Sequence, residues 1–302
     1  MIQGLKQQLA GWRWVAALAF VATLAWLALA GLPDGKLHVY FLDVGQGDAI
    51  LIQAPDGRQI LVDGGPSPIA LLNELGAVLP FWDRSLDLVV LTHPDGDHIT
   101  GLIPLLDRYR VARVLDTHLS DAAPLAAAWR DGLARHRIPR AIAERGMRIP
   151  LGQAQLTVLH PGPRPLRGTA ADDNNNAIVL RLEYGQTSLL LTGDAEVEAE
   201  AEMLKAGLPL KADLIKVGHY GSKGSTSAAF LAVVAPRVAV IPVGAENTFG
   251  HPHPDVLKRL AAARIEILRT DQHGRIEIIS DGRQLEVKPA RVFPSQPQEK
   301  QP

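Results

Sequence analysis

The segment THPDGDHITG, from Thr92 to Gly101, brings two imidazoles and two carboxylates into one short run. Side chains alternate along an extended chain, so those of His93, Asp95 and Asp97 can lean to one side. His98 follows where the chain turns, and imidazole together with carboxylate suits zinc, manganese or iron(II) rather than calcium. The alternative is a capping cluster, with Asp97 as the N-cap of the helix at Ile99 and the histidines at the surface, but a cap needs one aspartate and neither histidine. The segment therefore predicts a metal site.

Two further polar residues stand directly after apolar runs. Asp194 follows LLLTG, and His219 follows LIKVG. The run LDLVVL, which precedes the first motif, is apolar throughout, as expected for a strand buried on both faces. Open α/β sheets place their ligands at the carboxyl ends of such strands, so we expect the three segments to converge. Taken alone, Asp194 also fits a helix cap, and His219 by itself would be uninformative.

Strand-like and helix-like segments alternate along the rest of the folded part. AILIQA and RQILVD flank Pro55-Asp56-Gly57, which is typical of a hairpin. Helical spacing follows over 69–79 and again directly after the motif, in ITGLIPLLDRY. A helix is predicted over 123–136 and a strand over 155–159. The pattern predicts an α/β fold in which two mixed sheets are covered by helices.

The composition bounds the possible functions. The 302 residues carry a net charge of -1, so nucleic-acid binding must come from local features rather than a global basic field. The chain has no cysteine, which excludes disulfides, a thiolate nucleophile and thiolate metal ligands. The polar, proline-containing residues 291–302 predict a disordered tail. One hydrolase domain is expected over 37–290.

The segment 14–32, WVAALAFVATLAWLALAGL, carries no charge and is long enough to span a hydrocarbon core of about 30 Å. Basic residues precede it, so the positive-inside rule leaves 1–13 in the cytoplasm and the rest of the chain outside. We expect a single-pass anchor in the inner or plasma membrane, with an extracytoplasmic catalytic domain. The alternatives are a cleaved signal peptide ending near Ala28-Leu29-Ala30 and a buried core helix.

Six motifs occur in order between about residues 37 and 279: FLDVGQGDAILI, ILVDGG, LTHPDGDHITG, LLTGDAE, LIKVGHYGSKGSTS and GHPHP. They resemble the metallo-β-lactamase-fold domain of the ComEC/Rec2 family of competence proteins, which take part in DNA uptake by bacteria. The resemblance implies an αββα sandwich of the metallo-β-lactamase type, preceded here by one N-terminal apolar helix. It also implies a two-metal site, with zinc or manganese, at one edge of the sandwich.

The resemblance assigns metal ligands motif by motif. The implied ligands are His93 and Asp95 for the first ion, Asp97, His98 and His219 for the second, and Asp194 as the bridge. A further ligand of the first ion stays open between His160 and the run DDNNN, where Asn175 or an asparagine beside it is expected to line the site. Where relatives often read GHHGS, this chain has Tyr220, which cannot serve as a second imidazole.

The remaining expectations concern catalysis and substrate. Asp97 and His253 are the expected catalytic residues, and His253 is the candidate to protonate the leaving group. The residues expected to contact substrate are Lys216, Tyr220, Ser222, Lys223 and Asn175. Asp63, at another strand end, is expected to orient a ligand histidine.

Three functions are compatible with this pattern. The first is a phosphodiesterase or nuclease that cleaves DNA, preferably single-stranded, through a metal-activated hydroxide, alongside a separate competence channel protein. The second is a metallo-hydrolase of a small or teichoic-acid-type phosphodiester, a lactone or a β-lactam. The third is a non-catalytic DNA-binding module of an uptake complex, against which the complete ligand set argues.

Overall fold

The computed structural model describes residues 15–23, 33–117 and 123–291. The chain divides into two compact units, Met1–Asp34 and Gly35–Pro302. The first unit contributes one described element, helix α1 over residues 15–23. The second unit contains the two sheets and the candidate site.

The predicted membrane anchor over 14–32 lies outside the described residues except for α1. The predicted cytoplasmic segment 1–13 and the tail from 292 onward also lie outside them. Within the described ranges, no helix is both long enough and apolar enough to cross a membrane. The anchor therefore stays a prediction.

Most strands of the second unit are short. They are β1 (Leu37–Phe41), β2 (Ile50–Gln53), β3 (Gln59–Val62), β4 (Ser85–Leu86), β5 (Leu88–Val90), β6 (Arg110–Val111), β7 (Val114–Asp116), β8 (Arg140–Ile142), β9 (Arg148–Leu151), β10 (Ala154–His160), β11 (Val179–Tyr184), β12 (Thr187–Leu191), β13 (Leu214–Lys216), β14 (Val238–Ile241), β15 (Glu266–Arg269), β16 (Ile276–Ser280) and β17 (Leu285–Pro289).

Helices connect and cover these strands. They are α2 (Pro68–Val78), α3 (Gly96–Ile99), α4 (Leu102–Leu105), α5 (Pro124–His136), α6 (Val197–Lys205), α7 (Ala228–Val234), α8 (Pro254–Ala262) and α9 (Thr270–His273). Two 3-10 turns, Asn174–Asn176 and Gly218–Gly221, stand beside the site.

The described strands form two large mixed sheets. One has the order β17-β16-β1-β2-β3-β5-β7-β8, the other has the order β15-β14-β13-β12-β11-β10-β9, and β4 pairs with β6 separately. Within each large sheet one half is antiparallel and the other is parallel, from β3 to β8 and from β12 to β15. Parallel strands leave their carboxyl ends at a common edge, where α/β proteins place polar side chains.

The central strands of each sheet, such as β3, β5, β13 and β14, are buried on both faces, which explains the continuous apolar runs of the sequence. Between the sheets, Val90 of β5 and Leu180 of β11 belong to one buried cluster. Residues of α2 and α5, such as Leu71 and Trp129, cover the first sheet, while α6, with Met203, covers the second together with α7 and α8. This layering is an αββα sandwich and confirms the predicted fold class.

The helix predicted after the motif is broken into α3 and α4 at Thr100–Gly101. Gly101 packs so tightly that a Cβ there would lie 1.9 Å from the carbonyl oxygen of Gly64. Its N–H also donates to the carbonyl of Gly65 at 3.0 Å. This backbone contact holds the motif segment against the end of β3, and local helical spacing cannot anticipate it.

Candidate metal centre

The candidate site lies where three strands end. β5 leads through Thr92 to His93, β12 leads to Asp194, and β13 leads to His219. β5 belongs to one sheet and the other two strands to the second sheet. The N–H of Ile178 joins the sheets here by donating to the carbonyl of Thr92 at 3.0 Å. The three predicted segments therefore meet at one edge of the sandwich.

Asp194 lies among three imidazoles. Its Oδ2 is 3.3 Å from Nε2 of His98, 3.7 Å from Nε2 of His219 and 3.9 Å from Nε2 of His93. Burial raises the pKa of this carboxyl, but His98 and Lys216 outweigh it and hold the pKa well below its usual range. Asp194 is therefore an anion, located as a bridging ligand would be.

The tautomer of His93 follows from its hydrogen bonds. The hydroxyl of Thr92 donates to Oδ2 of Asp63 at 2.7 Å, so it accepts from Nδ1–H of His93 at 3.0 Å. Nε2 of His93 then carries a lone pair, and this buried atom has no hydrogen-bond partner among the described residues. Burial, with help from His98, lowers the pKa of His93 well below its usual value, so the ring is neutral. A buried, unpartnered lone pair fits a metal ligand.

Asp63 fixes the motif segment through three hydrogen bonds. Its carboxylate accepts from N–H and Oγ1 of Thr92, at 2.8 and 2.7 Å, and from Nδ1–H of His98 at 2.9 Å. Burial lowers the pKa of His98, but Asp194 and Asp63 raise it well above its ordinary value. Asp63 therefore stands where a residue that orients a ligand histidine would stand.

Asp95 and Asp97 lie at the start of α3. Asp95 occupies the N-cap position, yet its side chain makes no capping hydrogen bond. Its Oδ2 lies instead 3.7 Å from Nε2 of His93, with 45% of the side chain exposed. Burial, followed by the neighbouring Asp97, raises the pKa of Asp95. The capping alternative expected Asp97 as the N-cap and the histidines at the surface, whereas Asp95 holds the N-cap position and His93 and His98 are buried. The carboxylate of Asp95 is available as a ligand.

His219 has a left-handed backbone conformation, with φ of 44°. Such a conformation costs about 1–3 kcal/mol in a non-glycine residue, and residues held in it cluster at functional sites. Its Nδ1 lies 2.8 Å from Oε1 of Glu196 and 3.3 Å from the side-chain nitrogen of Asn174. Burial lowers the pKa of His219, but Glu196 and Asp194 raise it above its usual value. These contacts leave Nε2 facing Asp194.

Tyr220 also has a left-handed backbone conformation, with φ of 52°, and its side chain is buried. Its hydroxyl donates to Oδ2 of Asp97 at 2.8 Å and lies 2.6 Å from Nε2 of His98. Burial, reinforced by Asp194 and the neighbouring carboxylates, raises the pKa of the phenol well above its ordinary value. Tyr220 is therefore part of the centre itself rather than of an open substrate surface.

Lys216 lies inside the centre, which corrects the expectation that it contacts substrate. Its side chain is fully buried. Its Nζ is paired with Asp48, donates to the carbonyl of Gly193 at 2.6 Å and lies 3.4 Å from Oδ1 of Asp194. Burial lowers the pKa of Lys216, but Asp48 and Asp194 raise it above its usual value. An ammonium enclosed in this way balances carboxylates and cannot meet a substrate phosphate.

Asn175 is also buried away from the gap, contrary to the expected substrate contact. Its Oδ1 accepts from a backbone N–H of α6 at 3.1 Å, and its Nδ2 donates to Glu198 at 3.1 Å. Asn175 therefore anchors the 3-10 turn to α6. The asparagine beside it, Asn174, is the one that reaches His219. His160, the other open candidate, contacts the carbonyl of Asn175 through Nε2 at 2.9 Å.

The GHPHP segment carries two histidines with different positions. His253 begins α8, and its Nδ1 accepts the N–H of Asp255 at 3.2 Å. His251 has its ring centroid 5.4 Å from that of His219, and its Nδ1 is buried without a partner in the described part of the chain. The sequence favoured His253, whereas the structure brings His251 to the centre. The motif contains both residues, and the sequence did not indicate that His251 lies nearer the centre.

The outer rim combines an aromatic side chain with a short loop. Phe249 is 70% exposed and stacks on His251, with ring centroids 5.9 Å apart. Lys223 is exposed and Ser222 is half-buried in the loop after Tyr220. These side chains lie where a substrate can meet them. A separate cavity of about 660 Å³ is lined by residues such as Arg113 and Met147 and includes none of the candidate ligands.

The fold is an αββα sandwich, and at its edge His93, His98 and Asp194 form a cluster that could hold a metal ion. Residues 42–245 match the family model of the metallo-beta-lactamase superfamily, a span that contains all six predicted ligands. The chain belongs to this superfamily.

Curated relatives narrow the comparison. The chain is 35% identical over 264 residues to ComE operon protein 3 of Bacillus subtilis, covering 80% of this chain. It is 32% identical over 255 residues to Recombination protein 2 of Haemophilus influenzae, covering 83% of this chain. These matches confirm the resemblance inferred from the motifs. The chain spans about a third of the length of these relatives, 32% and 30% respectively.

A solved structure shares the fold. The metallo-beta-lactamase fold protein YhfI from Bacillus subtilis superposes with a TM-score of 0.55 at 15% sequence identity. The alignment covers 80% of this chain and 99% of that one. At this identity the likeness supports the fold alone.

Proposed function

We propose that this chain is a metal-dependent phosphodiesterase that cleaves DNA. The observation that carries the proposal is the buried lone pair on Nε2 of His93, which faces the carboxylates of Asp95 and Asp194 at 3.7 and 3.9 Å. A buried polar atom without a partner is costly, and a cation in this gap removes the cost. One imidazole with carboxylates suits zinc or manganese.

A divalent ion in this gap would activate a water molecule and polarise a phosphoryl oxygen of the substrate. The charged residues around the gap give it the electrostatic character that such an ion and a phosphodiester require. Asp194 supplies negative charge, since His98 and Lys216 hold its pKa well below the usual range. Lys216, paired with Asp48, offsets part of the carboxylate charge that would otherwise repel a phosphodiester.

DNA is the proposed substrate for two reasons. Two curated relatives are named ComE operon protein 3 and Recombination protein 2, and the motifs of this chain resemble those of the competence family. The exposed ring of Phe249 beside the centre also offers a surface on which an unstacked base can lie, which favours single-stranded DNA.

His251 is the proposed contact to a substrate phosphate oxygen. Its ring stands between Phe249 and His219. Burial, together with His219, lowers its pKa, and a neutral imidazole still has one N–H to donate. His253 is less suited to this role because its Nδ1 already caps α8. Ser222 and Lys223 complete the proposed phosphate contacts at the rim.

The proposal extends to location and partners. The uncharged segment 14–32 supports attachment to the inner or plasma membrane, with cleavage outside the cytoplasm. A channel protein of DNA uptake is the proposed partner, because the motifs of the chain resemble the competence family.

The test uses the full chain with labelled single- and double-stranded DNA in manganese, zinc or chelator. We expect metal-dependent cleavage that falls at least about 100-fold in His93→Ala and Asp194→Asn, since loss of outer partners alone costs 10–100-fold. His136→Ala is the matched control, because His136 lies on α5 and contacts Asp107. Metal binding without cleavage contradicts the proposal. In that case, turnover of a β-lactam, lactone or small phosphodiester would support a metallo-hydrolase of another substrate. DNA binding without turnover would support a non-catalytic DNA-binding module.

A further inference from the structure

Tyr220 lies where the resemblance implies a second ion. Its side chain is 1% exposed, so the phenol is enclosed by the centre. Its hydroxyl donates to Oδ2 of Asp97 at 2.8 Å and lies 2.6 Å from Nε2 of His98. On the ring face, Nζ of Lys216 lies 5.3 Å from the centroid. Asp97 and His98, two of the residues implied as ligands of a second ion, therefore each have one donor atom directed at this phenol.

The distances favour direct hydrogen bonds over ligands that share an ion. Two atoms bound to one ion at about 2.0–2.1 Å lie about 3.3 Å apart at a tetrahedral angle and about 2.9 Å apart at a right angle. The 2.6 Å between Tyr220 and His98 is shorter than both. The phenol accepts from Nε2–H of His98 while it donates to Oδ2 of Asp97. Each of these two atoms therefore already has a hydrogen-bond partner.

The gap beside His93 has the opposite character. Its Nε2 lies 3.7 Å from Oδ2 of Asp95 and 3.9 Å from Oδ2 of Asp194. An ion with bonds of about 2.0–2.2 Å can join atoms up to about 4.2 Å apart, so it can join Nε2 to either carboxylate. His93 and Asp194 also belong, with His98, to a cluster whose donor atoms all lie within 4.8 Å of one another. Nε2 of His93 is a buried atom that lacks a hydrogen-bond partner in the described residues.

We propose that this centre binds one divalent ion, at His93 and Asp194, and that Tyr220 closes the second position by bonding to Asp97 and His98. The inference rests on the proposed metal-dependent function and replaces the expected pair of ions with a single one. Asp97 and His98 then serve the centre through hydrogen bonds, and the hydroxyl of Tyr220 determines how many ions bind.

Two variants distinguish the effect of the Tyr220 hydroxyl on ion binding from that of its ring. Tyr220→Phe removes only the oxygen and releases the donor atoms of Asp97 and His98. Tyr220→His supplies an imidazole in its place. Tyr184→Phe is the matched control, because the hydroxyl of Tyr184 donates to the carbonyl of Gly35 at 2.9 Å, away from the candidate ligands.

The experiment counts ions. The full chain is stripped with chelator, loaded with excess manganese, desalted and analysed for manganese per chain by mass spectrometry. The wild type and Tyr184→Phe are expected to hold one ion, and Tyr220→Phe and Tyr220→His two. Electron paramagnetic resonance gives a second readout: an isolated manganese ion in the wild type, and spin-coupled ions about 3.5–4 Å apart in the variants. Circular dichroism checks that each variant is folded.

Two ions in the wild type would overturn the inference, as would one ion in both folded Tyr220 variants. A wild type that binds two ions and still cleaves DNA contradicts this inference alone. A wild type that binds none contradicts the proposed function as well. The two proposals can therefore fail separately.

Discussion

Nδ1 of His98 donates a hydrogen bond to the carboxylate of Asp63 at 2.9 Å across a separation of 35 residues in the sequence. Both side chains are buried. Asp63 also accepts from the N–H and the hydroxyl of Thr92, and that hydroxyl in turn accepts from Nδ1–H of His93. One carboxylate thus orients both motif histidines, the first directly and the second through Thr92.

Asp63→Asn should weaken metal binding. Asparagine offers one acceptor oxygen where the carboxylate offers two, so at least one of the donors on Thr92 and His98 loses its partner. Metal affinity is expected to fall about 10–100-fold and the free energy of unfolding by about 1–3 kcal/mol. Competition titration with a metal indicator and urea unfolding measure the two effects. Asp107→Asn, at a surface contact with His136, is the control; equal affinity in both variants would show that Asp63 does not orient the ligands.

Gly101→Ala should destabilise the segment that carries the motif. A Cβ at this position would lie 1.9 Å from the carbonyl oxygen of Gly64, so the backbone has to move, at a cost of about 1–3 kcal/mol or more. Gly76→Ala is the matched control, since a Cβ there meets nothing within 4 Å and the helix α2 gains up to about 1 kcal/mol. Urea unfolding measures the free energy of unfolding of both variants. Equal values for Gly101→Ala and Gly76→Ala would contradict the close contact between Gly101 and Gly64.

His160 should make the fold less stable in acid. Burial lowers the pKa of its ring, although the carbonyl of Asn175 and the carboxylate of Glu202 oppose the shift. A histidine whose folded-state pKa lies below its unfolded value of about 6.5 does not lower the free energy of unfolding above that pH. Below that pH it lowers the free energy of unfolding by at most about 1.4 kcal/mol per pH unit. The stability lost between about pH 7.5 and pH 5.5 should therefore be smaller in His160→Gln than in the wild type. The same loss in both, with His136→Gln as reference, would contradict the shift.

Phe249→Ala should raise KM for single-stranded DNA. Stacking of one base on an aromatic ring contributes about 1–3 kcal/mol, which corresponds to about 5- to 150-fold in KM, with little change in kcat. Phe81→Ala is the control, because Phe81 is also largely exposed but its ring contacts Trp82 instead of His251. Steady-state cleavage of a short labelled strand gives both constants. An unchanged KM would remove Phe249 from the substrate surface.

The strand ends that build the centre could be read from the sequence. The apolar runs before His93, Asp194 and His219 mark strands buried on both faces, and parallel strands end at a common edge. In the structure His93, His98 and Asp194 have donor atoms that all lie within 4.8 Å of one another. The Pro55-Asp56-Gly57 turn likewise joins β2 and β3 as a hairpin. An apolar run and the composition of a turn are local properties of the sequence, so these features can be predicted from it.

The positions of Lys216 and Tyr220 could not be read in this way. The partners of Lys216, Asp48 and Asp194, come from other segments, so a lysine after an apolar run gives the same pattern whether it is buried or exposed. Tyr220 reaches Asp97 because two consecutive residues adopt left-handed conformations that non-glycine residues rarely take. Such contacts depend on tertiary packing and not on spacing along the chain.

The most direct test relates DNA cleavage to the ions bound. Chelator-treated chain, wild type and His93→Ala, is titrated with manganese, and the cleavage rate of a labelled single strand is plotted against ions bound per chain. The wild-type rate should reach its plateau at one ion and return to background with chelator, while His93→Ala should stay at background. DNA that remains intact while the wild type holds its ion would contradict the assignment of this centre as a phosphodiesterase.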